Sequence, residues 1–224
     1  FSLDACTTSD QNIAIGYQAL TAVTTGIGRN TAIGYLAGDS ITTGPYNTAI
    51  GALALQAQTT SFAATAVGFR ALEDNTANYT TGVGYNALAN NTDGTENVAV
   101  GAFALDSCTT SDKNTAVGYE ALTAVTTGSG NNVCVGYRAG DSITTGTQNI
   151  AIGSSALPTV TTTNQNVAIG YLALQLHTGT GATAVGDLAG QDNTANYTTA
   201  FGYTALTNNT GGTENTAIGA FSLD

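Results

Sequence analysis

Charge is what this 224-residue sequence has least of. Only 8% of its residues are charged, against about 25% in an ordinary globular domain. Lys and Arg total 4 against 15 Asp and Glu, a formal charge of −11. A chain this poor in cations has no basic face with which to neutralise phosphates, so nucleic acid is excluded as a partner. An anionic membrane surface would repel it. No apolar run reaches the roughly 18 residues of a spanning helix, so no membrane insertion is expected. Met and Trp are absent and Pro occurs only 2 times. The missing Met at position 1 leads us to expect a piece of a longer or processed chain, and no signal peptide is recognisable. Three cysteines are too few for a disulfide scaffold. A single histidine, His177, can build neither a metal site nor a Ser-His-Asp arrangement within one chain.

What is present instead is a repeat. Asn30-Thr-Ala-Ile-Gly-Tyr-Leu-Ala-Gly38 recurs with small changes, as at Asn12-Ile-Ala-Ile-Gly-Tyr, Asn114-Thr-Ala-Val-Gly-Tyr and Asn166-Val-Ala-Ile-Gly-Tyr. The central glycines are Gly16, Gly34, Gly51, Gly68, Gly84, Gly101, Gly118, Gly136, Gly153, Gly170, Gly186, Gly202 and Gly219, thirteen copies at spacings of 16 to 18 residues. A short fixed period means an array rather than a globule.

We number slots from that glycine. Slot −4 is usually Asn, slots −3 and −1 are Thr, Ile or Val, and slot −2 is Ala except at Gly82 and Cys134. Slot +1 is commonly Tyr, slot +3 is almost always Ala, and slot +4 is Leu or Gly. Bulky β-branched residues alternating with small ones read as a strand. A helical array would need longer repeats and would place a glycine inside every helix, at about 1 kcal/mol each. The expected fold is therefore all-β, a parallel β-solenoid (β-roll) of thirteen coils of about 17 residues, with one inward strand and one or two short return strands per coil. At about 4.8 Å per coil such a stack is a rod on the order of 60 Å long. The Ala/Gly face implies that something packs close to this backbone. Asn at slot −4 suits a corner in left-handed backbone and could stack into a hydrogen-bonded ladder. Tyr at slot +1 should stack between coils, as Tyr17 on Tyr35 and Tyr119 on Tyr137.

The structural core is expected to be the slot −1 column: Ile15, Ile33, Ile50, Val67, Val83, Val100, Val117, Val135, Ile152, Ile169, Val185, Phe201 and Ile218. The periodicity admits the reverse, with Ala/Gly inside the coil and Ile/Val facing a partner. The first option leaves a small-residue face on which chains could approach one another, so that Leu at Ala32 or Ala116 would weaken assembly. Cys134 reads as a small buried hydrophobe. Cys6 and Cys108 lie six repeats apart, too far to bridge within one chain.

A longer period overlies the short one. Phe1-Ser-Leu-Asp-Ala-Cys-Thr-Thr-Ser-Asp matches Phe103-Ala-Leu-Asp-Ser-Cys-Thr-Thr-Ser-Asp. Residues 1–102 form a first super-repeat of six coils, 103–220 a second of seven, and 221–224 begin a third. Whole coils are gained without loss of phase, which suits a shaft, where stability sums over neighbours, better than an active site.

The Asn-Thr-Ala-Ile-Gly-Tyr repeat resembles the head repeat of trimeric autotransporter adhesins, with its Asn-Ser-Val-Ala-Ile-Gly motif, and the repeats of phage tail fibres and bacterial surface proteins. The resemblance implies a left-handed, homotrimeric β-roll. It also implies a non-catalytic structural shaft of an extracellular fibre, of adhesin or fibril type, located outside the cell, on its surface or on a virion. The alternative is a phage tail-fibre shaft, with a host or surface receptor met by a tip domain outside this sequence. Coils here are somewhat longer, and Tyr at slot +1 followed by Ala and Leu is not part of the adhesin motif.

Other chemistries find less support. Carboxylate pairs such as those of a polysaccharide-degrading tailspike are limited to Glu73 with Asp74 and Asp93 with Glu96. The second block puts Gln191 in place of Glu73 and a glycine in place of Asp93. We therefore expect no catalytic residue, no cofactor and no metal, calcium at Asp39 or Asp141 being a minor alternative. Asn78, Asn90, Asn196 and Asn208 fit the N-glycosylation pattern. Thr pairs such as Thr24-Thr25 lack the regular flat spacing of an ice-binding solenoid.

Overall fold

The computed structural model describes residues 2–3, 11–25, 28–128 and 130–223. It contains two compact units, 1–113 and 114–224. The first holds strands β1 (Ile13–Ile15), β2 (Thr31–Ile33), β3 (Thr48–Ile50), β4 (Thr65–Val67), β5 (Thr81–Val83) and β6 (Val98–Val100). The second holds β7 (Thr115–Val117), β8 (Val133–Val135), β9 (Ile150–Ile152), β10 (Val167–Ile169), β11 (Thr183–Val185), β12 (Thr199–Phe201) and β13 (Thr216–Ile218). Within each unit the strands follow one another in chain order as a parallel sheet. Every repeat adds one strand, and slot pairs with slot: Ala32 with Ala49 and Ile33 with Ile50 in the first unit, Ala168 with Ala184 and Ile169 with Val185 in the second. The chain is a parallel β-solenoid, and no helix occurs among the described residues. Each coil has a single three-residue strand. The expected return strands are replaced by turns.

The reason lies in the backbone. Slots −5, +2 and +4 carry positive φ in coil after coil, for example Arg29 (60°), Leu36 (54°) and Leu55 (52°). Left-handed backbone costs a non-glycine residue about 1–2 kcal/mol. Hydrogen bonds to both neighbouring coils offset that cost. The slot +2 N–H reaches back, as Leu36 N to Tyr17 O at 2.9 Å, and the slot +4 N–H reaches forward, as Leu20 N to Ala37 O at 3.1 Å. The left-handed corner residue is thus slot −5, one position before the asparagine expected there.

The asparagines have another task, and they do form a ladder. Asn30 Oδ1 accepts the N–H of Asn47 at 2.8 Å, and Asn30 Nδ2 donates to Gly44 O at 3.0 Å. In the second unit Asn149 Oδ1 accepts Asn166 N–H at 3.0 Å, and Asn149 Nδ2 donates to Thr163 O at 3.0 Å. These buried amides satisfy the corner backbone of the next coil, which is buried or half-buried.

The core reverses the expectation for slot −1. Ala32, Ala66, Ala116 and Ala168 at slot −2 are fully buried, as are Ala19, Ala71 and Ala121 at slot +3 and Leu20, Leu72 and Leu122 at slot +4. None of Ile15, Ile33, Ile50, Val67, Val83, Val100, Val117, Val135, Ile152, Ile169, Val185, Phe201 and Ile218 is fully buried; all are half-buried or exposed. A coil of about 17 residues encloses a thin interior. Slot −2 faces slot +4 across it: a Cβ placed on Gly82 would lie 3.0 Å from Leu72 Cγ. With leucine on one wall, only a small residue fits on the other. Ala32→Leu would therefore overpack its own coil and says nothing about contacts between chains.

A further wall, slot +7, is not apparent from the repeat consensus. Its residues include Val23, Ile41, Gln58, Asn75, Asn91, Cys108, Val125, Ile143, Val160, His177 and Asn193, all buried. Isoleucine stands there in two of the three coils whose slot +4 is glycine, and Asn193 in the third, beside Gly190. A Cβ on Gly38 would meet Ile41 Cδ1 at 2.9 Å, and one on Gly140 would meet Ile143 Cδ1 at 3.0 Å. Volume lost at one slot is returned at the other.

Candidate functional site

With Ala and Leu inside, the strand's other face points outward. Slots −1 and +1, flanked by Thr, Ile or Val at slot −3, form a largely apolar strip along each unit. Ile15 is 59% exposed, Tyr17 60% and Tyr35 53% in the first unit, and Phe201 is 56% and Tyr203 49% in the second. Because coils repeat in register, the rings stack as expected: Tyr17 on Tyr35 at 5.6 Å with 10° between planes, and Tyr119 on Tyr137 at 5.6 Å and 9°. Phe69 and Tyr85 stack likewise at 5.5 Å. Such pairs contribute about 0.5–1.5 kcal/mol each. Slot −5 gives the strip a polar rim. Arg29 Nε donates to Gln11 Oε1 at 3.0 Å, Arg29 Nη1 donates to Tyr46 Oη at 2.9 Å, and the guanidinium lies 5.5 Å from that ring. An apolar centre with a polar border is the anatomy of a protein–protein interface.

His177 lies at slot +7 in the stretch between β10 and β11 and is buried there. Its Nδ1 lies 2.6 Å from Asn193 O and its Nε2 lies 3.1 Å from Asn166 Oδ1. Gln58 holds the matching place in the first unit, where its Nε2 donates to Asn47 Oδ1 at 2.8 Å. Both follow a slot −4 asparagine and precede an alanine at the next slot −4, Ala64 or Ala182. The histidine thus stands in for a missing asparagine amide. Burial lowers its pKa from the usual 6.5, against the pull of backbone hydrogen bonds. The unfolded chain then takes up a proton below pH 6.5 that the folded chain resists, so stability falls as pH drops from 6.5 toward the folded value. His177→Gln is expected to fold with stability within about 1 kcal/mol of the parent at pH 7.5, and to lose less stability between pH 7.5 and pH 5. Melting curves of both proteins at the two pH values check this; an equal or steeper loss in the variant would refute it.

Cys134 sits in slot −2 and is fully buried, its thiol pushed up to about 12 by desolvation. Cys108 is also buried and free, its thiol raised to about 11 by the same cause. Cys6 lies outside the described residues. Glu73 is held by Arg70, which ties up one member of the first carboxylate pair. Asp39 is half-buried beside Ser40, and desolvation raises its pKa. Asp141 gives Oδ2 to Arg138 Nε at 2.9 Å. Among the described residues no three His, Cys, Asp or Glu side chains converge, and no helix is long and apolar enough to cross a membrane. Of the four sequon asparagines, Asn78 is half-buried and accepts Phe62 N–H at 2.9 Å. The others are exposed; Asn90 Nδ2 donates to Asp106 O at 2.6 Å, and Asn196 Oδ1 accepts Thr180 N–H at 2.8 Å. Polar side chains in this solenoid serve chiefly to join one coil to the next. No protein-family model, curated protein or solved structure matches this chain.

Proposed function

We propose that this protein is a non-catalytic structural shaft of an extracellular fibre, assembled as a parallel homotrimer through the strip of slots −3, −1 and +1. The observation that carries the reading is the outward Ile/Val/Tyr strip. Taking about 100 Å² for each half-exposed large side chain, Ile13, Ile15, Tyr17, Tyr35, Phe69 and Tyr85 expose roughly 600 Å² in the first unit alone, at the upper limit for a monomer surface. The second unit repeats the pattern. Identical coils in parallel chains meet at equal heights, so one contact is replicated along the shaft. The adhesin-like repeat motif and the tolerance of whole-coil insertion support the same reading, which carries with it an extracellular or virion-surface location.

Sedimentation equilibrium is expected to give three times the 22.4 kDa chain mass. Ile33→Glu with Tyr35→Glu brings like charges together at the shared strip, at a cost of several kcal/mol, and should dissociate the assembly without unfolding the coils. A stable 22.4 kDa parent, or a trimer indifferent to both glutamates, would refute the reading.

A further inference from the structure

The aromatic ladder has a gap in the second unit. Slot +1 is Tyr137 in one coil and Tyr171 two coils later, but Ser154 between them, followed by Ser155 at slot +2. Tyr119 stacks on one face of the Tyr137 ring. The small residues of the next coil leave room on the other side, and Tyr137 is 52% exposed. An open cleft of about 410 Å³ lies beside them, its lining including Tyr137, Arg138, Ser155, Thr159, Gln175 and the apolar Leu176. This volume lies within the roughly 300–1,000 Å³ of small-molecule sites. The cleft lies along slots +2, +5 and +6 within one chain; Tyr137, at slot +1, also belongs to the outward strip, so the site requires a trimer contact that leaves the Tyr137 edge of the strip uncovered.

Its chemistry is specific. Arg138 Nε is fixed by Asp141 Oδ2 at 2.9 Å and by Glu120 Oε2 at 3.3 Å, so the guanidinium is oriented without adding rotamer freedom. Two carboxylates on one cation leave the cleft with a local charge of about −1, which disfavours an anionic ligand. Gln175 Oε1 accepts Gln191 Nε2 at 2.8 Å, an arrangement that turns the Gln175 amide N–H groups the other way. The Thr159 hydroxyl is directed to Gln175 O at 2.8 Å, which leaves its oxygen lone pairs as acceptors. An aromatic face, an oriented guanidinium, an amide and two hydroxyls can hold a ligand with one apolar face and a rim of hydroxyl groups.

We propose that this cleft binds a neutral hexopyranose unit of a saccharide, its C–H face on Tyr137 and its hydroxyls toward Arg138, Ser155, Thr159 and Gln175. The shaft would then carry a glycan contact of its own. Saturation-transfer NMR with methyl β-D-glucopyranoside, methyl β-D-galactopyranoside and methyl α-D-mannopyranoside is expected to show transfer to at least one, with Kd of about 1 mM for a ligand of this size. Methyl β-D-glucuronide should give none. Ser155→Leu places at slot +2 the residue already found there in Leu36, Leu53, Leu172 and Leu188, so it should fold with an unchanged melting curve while filling the cleft, and weaken binding at least tenfold. Tyr137→Ala removes the platform and should weaken binding likewise, with a lowered melting point from the lost Tyr119–Tyr137 stack. Absence of transfer from all three neutral glycosides, equal binding of the glucuronide, or undiminished binding by both variants would overturn the proposal.

Discussion

Gly68→Ala is expected to remove about 3–5 kcal/mol of stability, combining backbone strain with a steric clash. Gly68 has φ +139°, and a Cβ there would lie 2.4 Å from Gly84 O and 2.7 Å from Gly84 C. The obstacle is the backbone of the next coil, which cannot rotate away as a side chain could. The inter-coil bond from Gly68 N to Ile50 O at 2.7 Å fixes the spacing, so relief requires prising coils apart. Gly219 separates the two contributions. Its φ is +116°, but nothing lies within 4 Å of the added Cβ, so Gly219→Ala should lose only the strain component, about 1–3 kcal/mol. Thermal melts of the two variants check the difference. Equal losses would mean that the close approach of successive glycines does not limit this slot.

Asn149→Ala is expected to cost about 3 kcal/mol, because it leaves one buried and one half-buried backbone group short of partners at about 1–3 kcal/mol each. Those groups are Asn166 N–H, now 3.0 Å from Asn149 Oδ1, and Thr163 O, now 3.0 Å from Asn149 Nδ2. The chain tolerates alanine in the same slot at Ala64 and Ala182, where Gln58 or His177 supplies a polar side chain from slot +7. Asn149 has Ile143 in that position. Adding Ile143→Gln to Asn149→Ala should recover only a small part of the loss: Gln58 Nε2 donates to Asn47 Oδ1 at 2.8 Å, the place Asn149 Nδ2 now takes on Asn132 Oδ1 at 3.2 Å, while Asn166 N–H and Thr163 O stay without that side chain. Because repeat arrays open locally, hydrogen exchange at Asn166 N–H is the direct readout. Exchange as slow in the single variant as in the parent would show that the ladder does not hold the coils together.

Several features of the fold were legible in the residues because they depend on period alone. Thirteen glycines at near-constant spacing require one coil per repeat, parallel pairing of its strand and in-register neighbours. Once register is fixed, equal slots must meet, so the pairs Tyr17–Tyr35 and Tyr119–Tyr137 and the asparagine ladder follow from geometry. Cys134 was readable for the same reason, since it occupies a slot otherwise given to alanine. His177 was harder to place. Its buried role is visible only through its equivalence to Gln58, a comparison across the long period rather than within one coil. The pairing of Gly38 with Ile41 and of Gly140 with Ile143 was likewise present as a correlation between slots, but its meaning depends on those slots meeting inside the coil.

The sequence by itself thus determined that coils stack, in which register, and with which side chains above one another. Only the tertiary structure decided which face of the strand is inside. Alternation separates bulk from smallness but does not say which of the two the core needs; that depends on what the opposite wall supplies. Here slot +4 sends leucine across a coil too narrow to accept a second bulky wall, so alanine turns inward and Ile, Val and Tyr turn out. The left-handed positions at slots −5, +2 and +4 were equally hidden. Leucine, arginine and tyrosine have no local preference for that backbone, and they adopt it because the hydrogen bonds that compensate it come from the coils on either side.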